Sequence, residues 1–453
     1  MIKRIIAAFC VVFAAAMILV GCAPKSPSVI VSANGEIMGE LTQTTWGSVE
    51  PTEEGYKSYV DAVIRETLDI LCEQKNLSLG DADKILRTKG YRIETVFDEG
   101  VYKSMTEAQT SMVDNMAAAV TDLKGRVLAI YSVSDENNEH RNLACTSFYP
   151  CSAFKPLSVY APALESGNIS WSTMTVDSPV KKIEDAVGSL RDWPSNASGT
   201  YTNSNMDIKT AIKESINTVA VKTLINYGSA NSAEFLSDNF GIDMSYETQQ
   251  INAGREEDVL DNIALGYLAA GVNTVDMAGY YQIFANGGIY VKPYTIAKII
   301  DDLGKVIYEA EPIGYQIISP ETAFIMNSLL QEVVMPGGTG QAAGHSGKLV
   351  GGKTGTGENL AEGWNDNWFV GFTPEYTCAV WHSARMTSNV AAALFAELTD
   401  EIVINENAIF PPNENVKQIA YCTESGKRIG DNCKGMDIGW FMHDEIPEKC
   451  EEH

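Results

Sequence analysis

Strand-like and helix-like runs are sorted along this chain in an order that few folds accommodate. Residues 117–121 and 127–131 are short apolar runs joined by the polar turn Asp122-Leu123-Lys124-Gly125-Arg126, which predicts a pair of strands. Residues 150–290 read mainly as helices and loops. Strand signals return at residues 348–356, 368–372 and 377–381, the last two flanking Pro374-Glu375, and an apolar helix follows over 389–398. Strands so far apart can share hydrogen bonds only if the sheet closes around the intervening chain. The expected architecture is therefore α+β, with one antiparallel sheet built from distant pieces, a helical insert on one side, and a cleft where insert meets sheet.

Three short residue groups fall where that cleft would be supplied. Ser152-Ala153-Phe154-Lys155 precedes the mostly apolar run from Pro156 to Leu164, which ends at Gly167. This places Ser152 at a helix N-terminus, where unpaired N–H groups favour developing negative charge. Residues three apart share a helix face, so Lys155 stands over Ser152. Ser215-Ile216-Asn217 adds a hydroxyl and an amide. Lys353-Thr354-Gly355-Thr356 puts a cation and two hydroxyls on a glycine-containing extended segment. Each pattern alone has a bland reading. Ser178-Pro179-Val180-Lys181 repeats the Ser-x-x-Lys spacing, yet its proline and the adjacent Lys182 mark a polar loop. Serine needs a base to become a nucleophile. None of His140, His345, His382, His443 and His453 sits in a recognisable partner motif, so Lys155 is the candidate base. It must then be partly neutral, with burial and the nearby Lys353 depressing its pKa.

The ends carry different information. Lys3 and Arg4 open an apolar stretch from Ile5 to Val20, followed by Leu19-Val20-Gly21-Cys22. This resembles a bacterial lipoprotein signal, implying cleavage before Cys22 and lipid attachment there. The rest of the chain is then extracytoplasmic and anchored to the membrane. The formal net charge of −26 disfavours nucleic acid as a partner and reads as a solvated acidic surface. Of 9 cysteines, Cys72, Cys145, Cys151, Cys378, Cys422, Cys433 and Cys450 remain beyond Cys22. Cys422, Cys433 and Cys450 cluster near the end. A local disulfide or free thiols rank there ahead of a Cys3His zinc site with His453, because the spacing is irregular.

Together the three groups resemble the active-site set of the penicillin-binding protein and serine β-lactamase superfamily. The likeness to the transpeptidase domain of class A penicillin-binding proteins runs from about Thr95 to the C-terminus. It includes Asn142-Leu143-Ala144, Trp193-Pro194, Asn196, Ala264-Leu265-Gly266, Gly271-Val272, residues 284–288, Gly338-Thr339-Gly340 and residues 368–374. The resemblance implies a β-lactamase/transpeptidase-like fold, with a five-stranded antiparallel sheet and a helical subdomain. The implied organisation is a signal peptide at 1–21, a tether at 22–57, a helical linker region at 58–110, the transpeptidase domain at 111–410, and a cysteine-containing tail at 411–453. Two departures stand out. The segment before Thr95 is too short for the glycosyltransferase domain of class A proteins, which makes a separate glycosyltransferase an expected partner. Cys151 also stands where the family usually has glycine, and a Cβ there restricts the backbone.

By resemblance, Ser152 attacks the D-Ala-D-Ala bond of a peptidoglycan stem peptide, forms an acyl-enzyme, and passes it to an amine. β-Lactams mimic that donor. Lys155 is the base and Ser215 relays a proton. Asn217 holds the donor amide and helps position Lys155. Lys353, Thr354 and Thr356 bind the terminal carboxylate, Gly355 keeps the strand edge clear, and the N–H groups of Ser152 and Thr356 form the oxyanion hole. No metal or other cofactor is implied. Trp368 and Trp381 are assigned to core packing, and Trp364 and Asp366 receive no role. The competing readings are a D,D-carboxypeptidase or β-lactamase, a non-enzymatic β-lactam or cell-wall sensor, and a cysteine enzyme using Cys151, which lacks a histidine partner.

Overall fold

The computed structural model describes residues 27–41, 50–51, 56–108, 115–135, 141–184, 188–344, 348–359, 363–384, 389–402, 405 and 407–452. The signal segment and Cys22 lie outside the described residues, as do His140, His345 and His453. The chain divides into two compact units, Met1–Thr95 with Ile296–Ala310, and Val96–Thr295 with Glu311–His453. Among the described residues, no helix is long and apolar enough to cross a membrane.

The first unit corrects the expected tether. Residues 22–57 include the strands Ser28–Val31 and Ile37–Leu41, which pair antiparallel about the left-handed Gly35. Ile30, Val31, Met38 and Leu41 are buried. The physical signal is the Asn34-Gly35 dipeptide between short apolar runs, a strong local mark of a hairpin that overall polarity obscures. These strands belong to a six-stranded sheet in which Arg92–Thr95 lies between Ser28–Val31 and Ile296–Ile300. The helix Lys57–Lys75 buries Tyr59, Val60, Val63, Ile64, Thr67 and Leu71, the i, i+3, i+4, i+7 face expected of an amphipathic helix. The expected boundary at 110/111 does not coincide with the division at Thr95/Val96.

The second unit is α+β and carries the expected five-stranded antiparallel sheet. Its strands are β1 (Met116–Asp122), β2 (Val127–Val133), β3 (Gly351–Asn359), β4 (Trp364–Phe372) and β5 (Tyr376–Ala384), in the order β3-β4-β5-β1-β2. The N-terminal hairpin is thus inserted beside the C-terminal one, with Ala119 opposite Ala379. β3 is an edge. Side chains alternate across a sheet, and the neighbours of β4 show both faces covered. Phe372 meets Phe284 of helix α1 (Thr274–Ala285), whereas Phe369 meets Phe395 of helix α2 (Ala391–Thr399). All but Val275 and Asp276 of α1 are buried, so this helix forms the floor on which the candidate site rests. Residues 411–453 are not an independent tail by this division. Their strands Val416–Cys422 and Met436–Met442 pair within the second unit.

Candidate active site

The segment carrying Ser152 is helical but not a regular α-helix. Cys151–Phe154 is a tight 3-10 turn, Pro156–Tyr160 a wider π-type turn, and Ala161–Glu165 a short α-helix. Pro156 and Pro162 explain the mixture, because neither can donate the backbone hydrogen bond that a regular helix requires. Residue 151 has φ 52, in the left-handed region that glycine occupies without strain. The expected restriction at this position is therefore a strained Cys151. Two hydrogen bonds and a close backbone approach at Gly266 hold the turn in place. Cys151 N–H donates to Gly266 O at 3.1 Å, and a Cβ on the left-handed Gly266 would stand 2.1 Å from Cys151 O. From below, the Tyr281 hydroxyl of α1 donates to Ala153 O at 2.5 Å.

The structure brings the second and third groups to Lys155. Its Nζ donates to Asn217 Oδ1 at 2.6 Å and to Ser215 O at 2.9 Å. Lys353 Nζ donates to the Ser215 hydroxyl at 2.7 Å and to Thr354 O at 3.0 Å. Ser215 thus contacts both amines, its carbonyl taking one and its hydroxyl the other. Among the described residues, no hydrogen bond joins the Ser152 hydroxyl to Lys155 Nζ. Ser152 is half-buried one turn before Lys155. Such bonds commonly tighten only when substrate is bound. Ser215 reaches its position through a second left-handed residue, φ 61, between the helices Ile208–Lys213 and Asn217–Tyr227.

Both lysines are fully buried. Burial first, and the charge of Lys353 second, hold the Lys155 amine well below its ordinary value. Burial brings Lys353 down to about 7. Desolvation penalises the charged form of an amine, and a neighbouring cation adds to it. Burial pushes the Cys151 thiol well up, with the Asp366 charge adding to it. The thiol donates to Tyr149 O at 3.2 Å. A buried, protonated thiol is a poor nucleophile.

Gly355 does something other than clear the groove. A Cβ there would lie 2.5 Å from Pro150 O and 2.8 Å from Ala153 N, so the glycine lets β3 close against the Ser152 turn. Thr354 Oγ1 donates to Thr339 Oγ1 at 2.8 Å. Thr356 is exposed, and its hydroxyl accepts from Asn389 Nδ2 at 2.9 Å.

Several supporting residues escaped the motif reading. Asp366 is fully buried. Its oxygens accept from Asn359 Nδ2 at 2.9 Å, Trp381 Nε1 at 3.0 Å, Trp364 Nε1 at 3.3 Å and Tyr149 N–H at 3.4 Å. Trp368 Nε1 donates to Tyr149 O at 2.8 Å. Trp368 and Trp381 pack in the core as expected and also brace the backbone entering the Ser152 turn. Asn389 fixes β3 through Gly355 O at 2.8 Å. Asn196 accepts from Asn217 N–H at 3.0 Å and donates to Asp177 at 2.7 Å, while Thr218 Oγ1 donates to the same carboxylate at 2.6 Å. Trp368, Asn196 and Thr218 lay within family-like stretches, but without an assigned contact. Asp177, Asn389 and Asp366 carry no local pattern, because each acts through partners remote in sequence. His382 is structural: its ring accepts Val390 N–H at 3.2 Å.

The penicillin binding protein transpeptidase domain, as a family, matches residues 116–400. Penicillin-binding protein 1A of Clostridium acetobutylicum is 30% identical over 386 residues, covering 77% of this chain and 45% of that protein. Penicillin-binding protein 1F of Bacillus subtilis is 28% identical over 412 residues, covering 86% and 52%. The chain spans about half the length of these curated relatives. Among solved structures, penicillin-binding protein 1A of Haemophilus influenzae superposes with a TM-score of 0.69 at 16% identity, covering 95% of this chain and 99% of that one. The D,D-transpeptidase domain of a peptidoglycan glycosyltransferase from Eggerthella lenta gives 0.62 at 19%, covering 84% and 98%. At such identities the structures speak for the fold.

Proposed function

The chain belongs to the family of penicillin-binding protein transpeptidase domains, and from that premise we propose that it is a serine acyltransferase acting on D-Ala-D-Ala stem peptides of peptidoglycan. The observation that carries this reading is the meeting of two fully buried amines on one serine. Lys155 Nζ holds Ser215 O and Lys353 Nζ holds Ser215 Oγ, beside the strained turn that presents Ser152.

In the proposed reaction, Ser152 Oγ attacks the carbonyl of the penultimate D-Ala while neutral Lys155 takes the hydroxyl proton. Asn217 keeps the amine aimed. The peptide C–N bond breaks as the departing D-Ala nitrogen receives a proton relayed through the Ser215 hydroxyl. An acceptor amine then attacks the Ser152 ester, forming the crosslink and restoring the hydroxyl. Lys353, Thr354 and Thr356 bind the donor carboxylate along the edge of β3, and the N–H groups of Ser152 and Thr356 receive the developing oxyanion. A β-lactam follows the first half of this course: its ring amide opens, and the nitrogen stays tethered to the acyl group. The same reading carries lipid anchoring at Cys22, an extracytoplasmic location, and a separate glycosyltransferase as partner.

The test is mass spectrometry of the full chain with benzylpenicillin, followed by a D-Ala-D-Ala pentapeptide with and without an acceptor amine. The expected result is one adduct, mapped to Ser152, absent in Ser152→Ala, with crosslinked product when amine is supplied. D-Ala release that ignores the amine would make the protein a carboxypeptidase, and fast turnover of the adduct a β-lactamase. No adduct on folded protein would sink the acyl-transfer reading.

A further inference from the structure

Cys422, Cys433 and Cys450 take no part in the proposed chemistry, yet the backbone gathers them closely. Cys422 ends the strand Val416–Cys422 and faces Met436 of the partner strand, three residues after Cys433. The chain folds back after Cys422 through the left-handed Gly426, with Gly426 N–H donating to Cys422 O and Cys422 N–H to Lys427 O, both at 2.8 Å. Arg428 then tethers the last segment: its N–H donates to Glu448 O at 2.9 Å, and Cys450 N–H donates to Arg428 O at 2.8 Å. Three hydrogen-bonded segments thus deliver three sulfurs that lie within 4.8 Å of one another.

The surroundings suit thiolates. All three are free thiols, with Cys422 and Cys450 buried. Gly430 N–H donates to Cys433 Sγ and the Ser425 hydroxyl to Cys450 Sγ, each at 3.2 Å. Donors aimed at sulfur stabilise its charged form, as they do around metal-bound cysteine. A Cβ at Gly430 would fall 2.2 Å from Cys450 O, so the loop needs glycine to bring Cys433 this near. One disulfide would use two sulfurs and leave the third unused beside them. Four-coordinate zinc uses all of them: a Zn–S length of ~2.3 Å sets sulfurs about 3.8 Å apart, a small contraction from the spacing seen. Sulfur placement therefore favours a metal, which sequence spacing ranked behind a local disulfide or free thiols.

We propose that Cys422, Cys433 and Cys450 hold one zinc ion through three thiolates, as a structural site separate from Ser152. Binding releases the three thiol protons, so affinity rises with pH. The fourth position takes water or a nitrogen or oxygen ligand. The site fastens a hairpin that is hydrogen-bonded to the cap of the helix Ile208–Lys213, which precedes Ser215 in the chain. Adjacent to Cys422, the Tyr421 hydroxyl donates to Asp207 Oδ2 at 2.5 Å, while Asp207 Oδ1 caps the helix Ile208–Lys213 by accepting from Thr210 N–H at 2.8 Å.

The test is anaerobic titration of the reduced, metal-stripped full chain with Co2+, checked for folding by circular dichroism. Expected are saturation at one Co2+ per chain, a thiolate-to-cobalt charge-transfer band with tetrahedral visible absorption, and displacement by Zn2+. Cys433→Ser should lose most of that band while keeping its fold. Chelation should lower the Tm of the parent chain and leave that of the variant unchanged. A folded chain that takes up no Co2+ with sulfur-derived absorption would overturn the proposal. So would peptide mapping of natively exported protein that finds two of the three cysteines disulfide-bonded.

Discussion

Two lysines with opposite proposed duties sit within hydrogen-bond reach of one serine, and in that reading their protonation sets the pH range of acylation. Lys155 must be neutral to accept a proton, whereas Lys353 must be charged to hold a carboxylate. Below the depressed pKa of Lys155 the base is blocked, so the rate rises with pH. Above about 7 Lys353 is neutral in the free protein, so the rate falls. The second-order rate constant reports free-enzyme groups, and for benzylpenicillin it should be bell-shaped with its falling limb near 7. Lys353→Arg, which keeps its charge, should lower the maximum and remove that limb; a flat neutral profile in the parent chain would refute the assignment. The sign for stability follows from the same depression. Between about 7 and 10.5 the unfolded Lys353 holds a proton that the folded one lacks, so its contribution to stability rises with pH. Cys151 permits a separate residue-scale prediction. At φ 52 a Cβ costs roughly 1–2 kcal/mol, partly offset by the greater freedom of unfolded glycine. Cys151→Gly should therefore be more stable than Cys151→Ala by about 0.5–1 kcal/mol in urea unfolding, the reverse of an ordinary helix position.

At the scale of elements, the site depends on an edge strand pressed against a prolyl-broken helical turn. Gly355→Ala places its Cβ 2.5 Å from Pro150 O, and backbone on both sides leaves little room to relax. Overpacking of this kind costs about 1–3 kcal/mol. The variant should fold with a lower Tm and acylate at least about tenfold more slowly, as judged by stopped-flow with a fluorescent penicillin; an unchanged rate would show that the turn tolerates displacement. Legibility in the sequence divides along the same line. The three site groups and all five strands of the central sheet could be read, because each is a local pattern of residue types or alternation. The mixed turns over Cys151–Glu165 could not, since Pro156 and Pro162 break a run whose apolar spacing looks continuous. Nor could the bracing by Asp366, Asn389 and Asp177, whose partners lie in other elements. Gly355 was singled out on its motif, but its purpose is a contact with Pro150, about two hundred residues away, that no local pattern encodes. The strands at 28–41 were missed for the opposite reason: Asn34-Gly35 is a local signal, outweighed by the polarity around it.

The whole molecule adds a constraint of connectivity. The first unit is built from two stretches, Met1–Thr95 and Ile296–Ala310, and the second stretch is not peripheral to its sheet. Ile296–Ile300 runs antiparallel to Arg92–Thr95, with Ile299 opposite Ile93 and both fully buried, and Val306–Glu309 extends the sheet beyond it. Without that return, Arg92–Thr95 becomes an open edge with unpaired backbone groups, the arrangement that invites strand-to-strand association. A fragment of residues 27–95 should therefore be unfolded or aggregate, although its described residues include the helices Lys57–Lys75 and Leu79–Thr88 and, with Glu50–Pro51, four strands. Joining residues 296–310 to it through a flexible linker should restore a cooperative unfolding transition by circular dichroism and a monomeric sedimentation profile. If residues 27–95 alone gave that transition, the hairpin 296–309 would be an ornament of the first unit. The family match over residues 116–400 runs straight through the returning hairpin, so a cut at Thr95 would leave the matched region with two strands deprived of the rest of their sheet. The integrity of the first unit thus rests on a fifteen-residue excursion, residues 296–310, that lies within the family match.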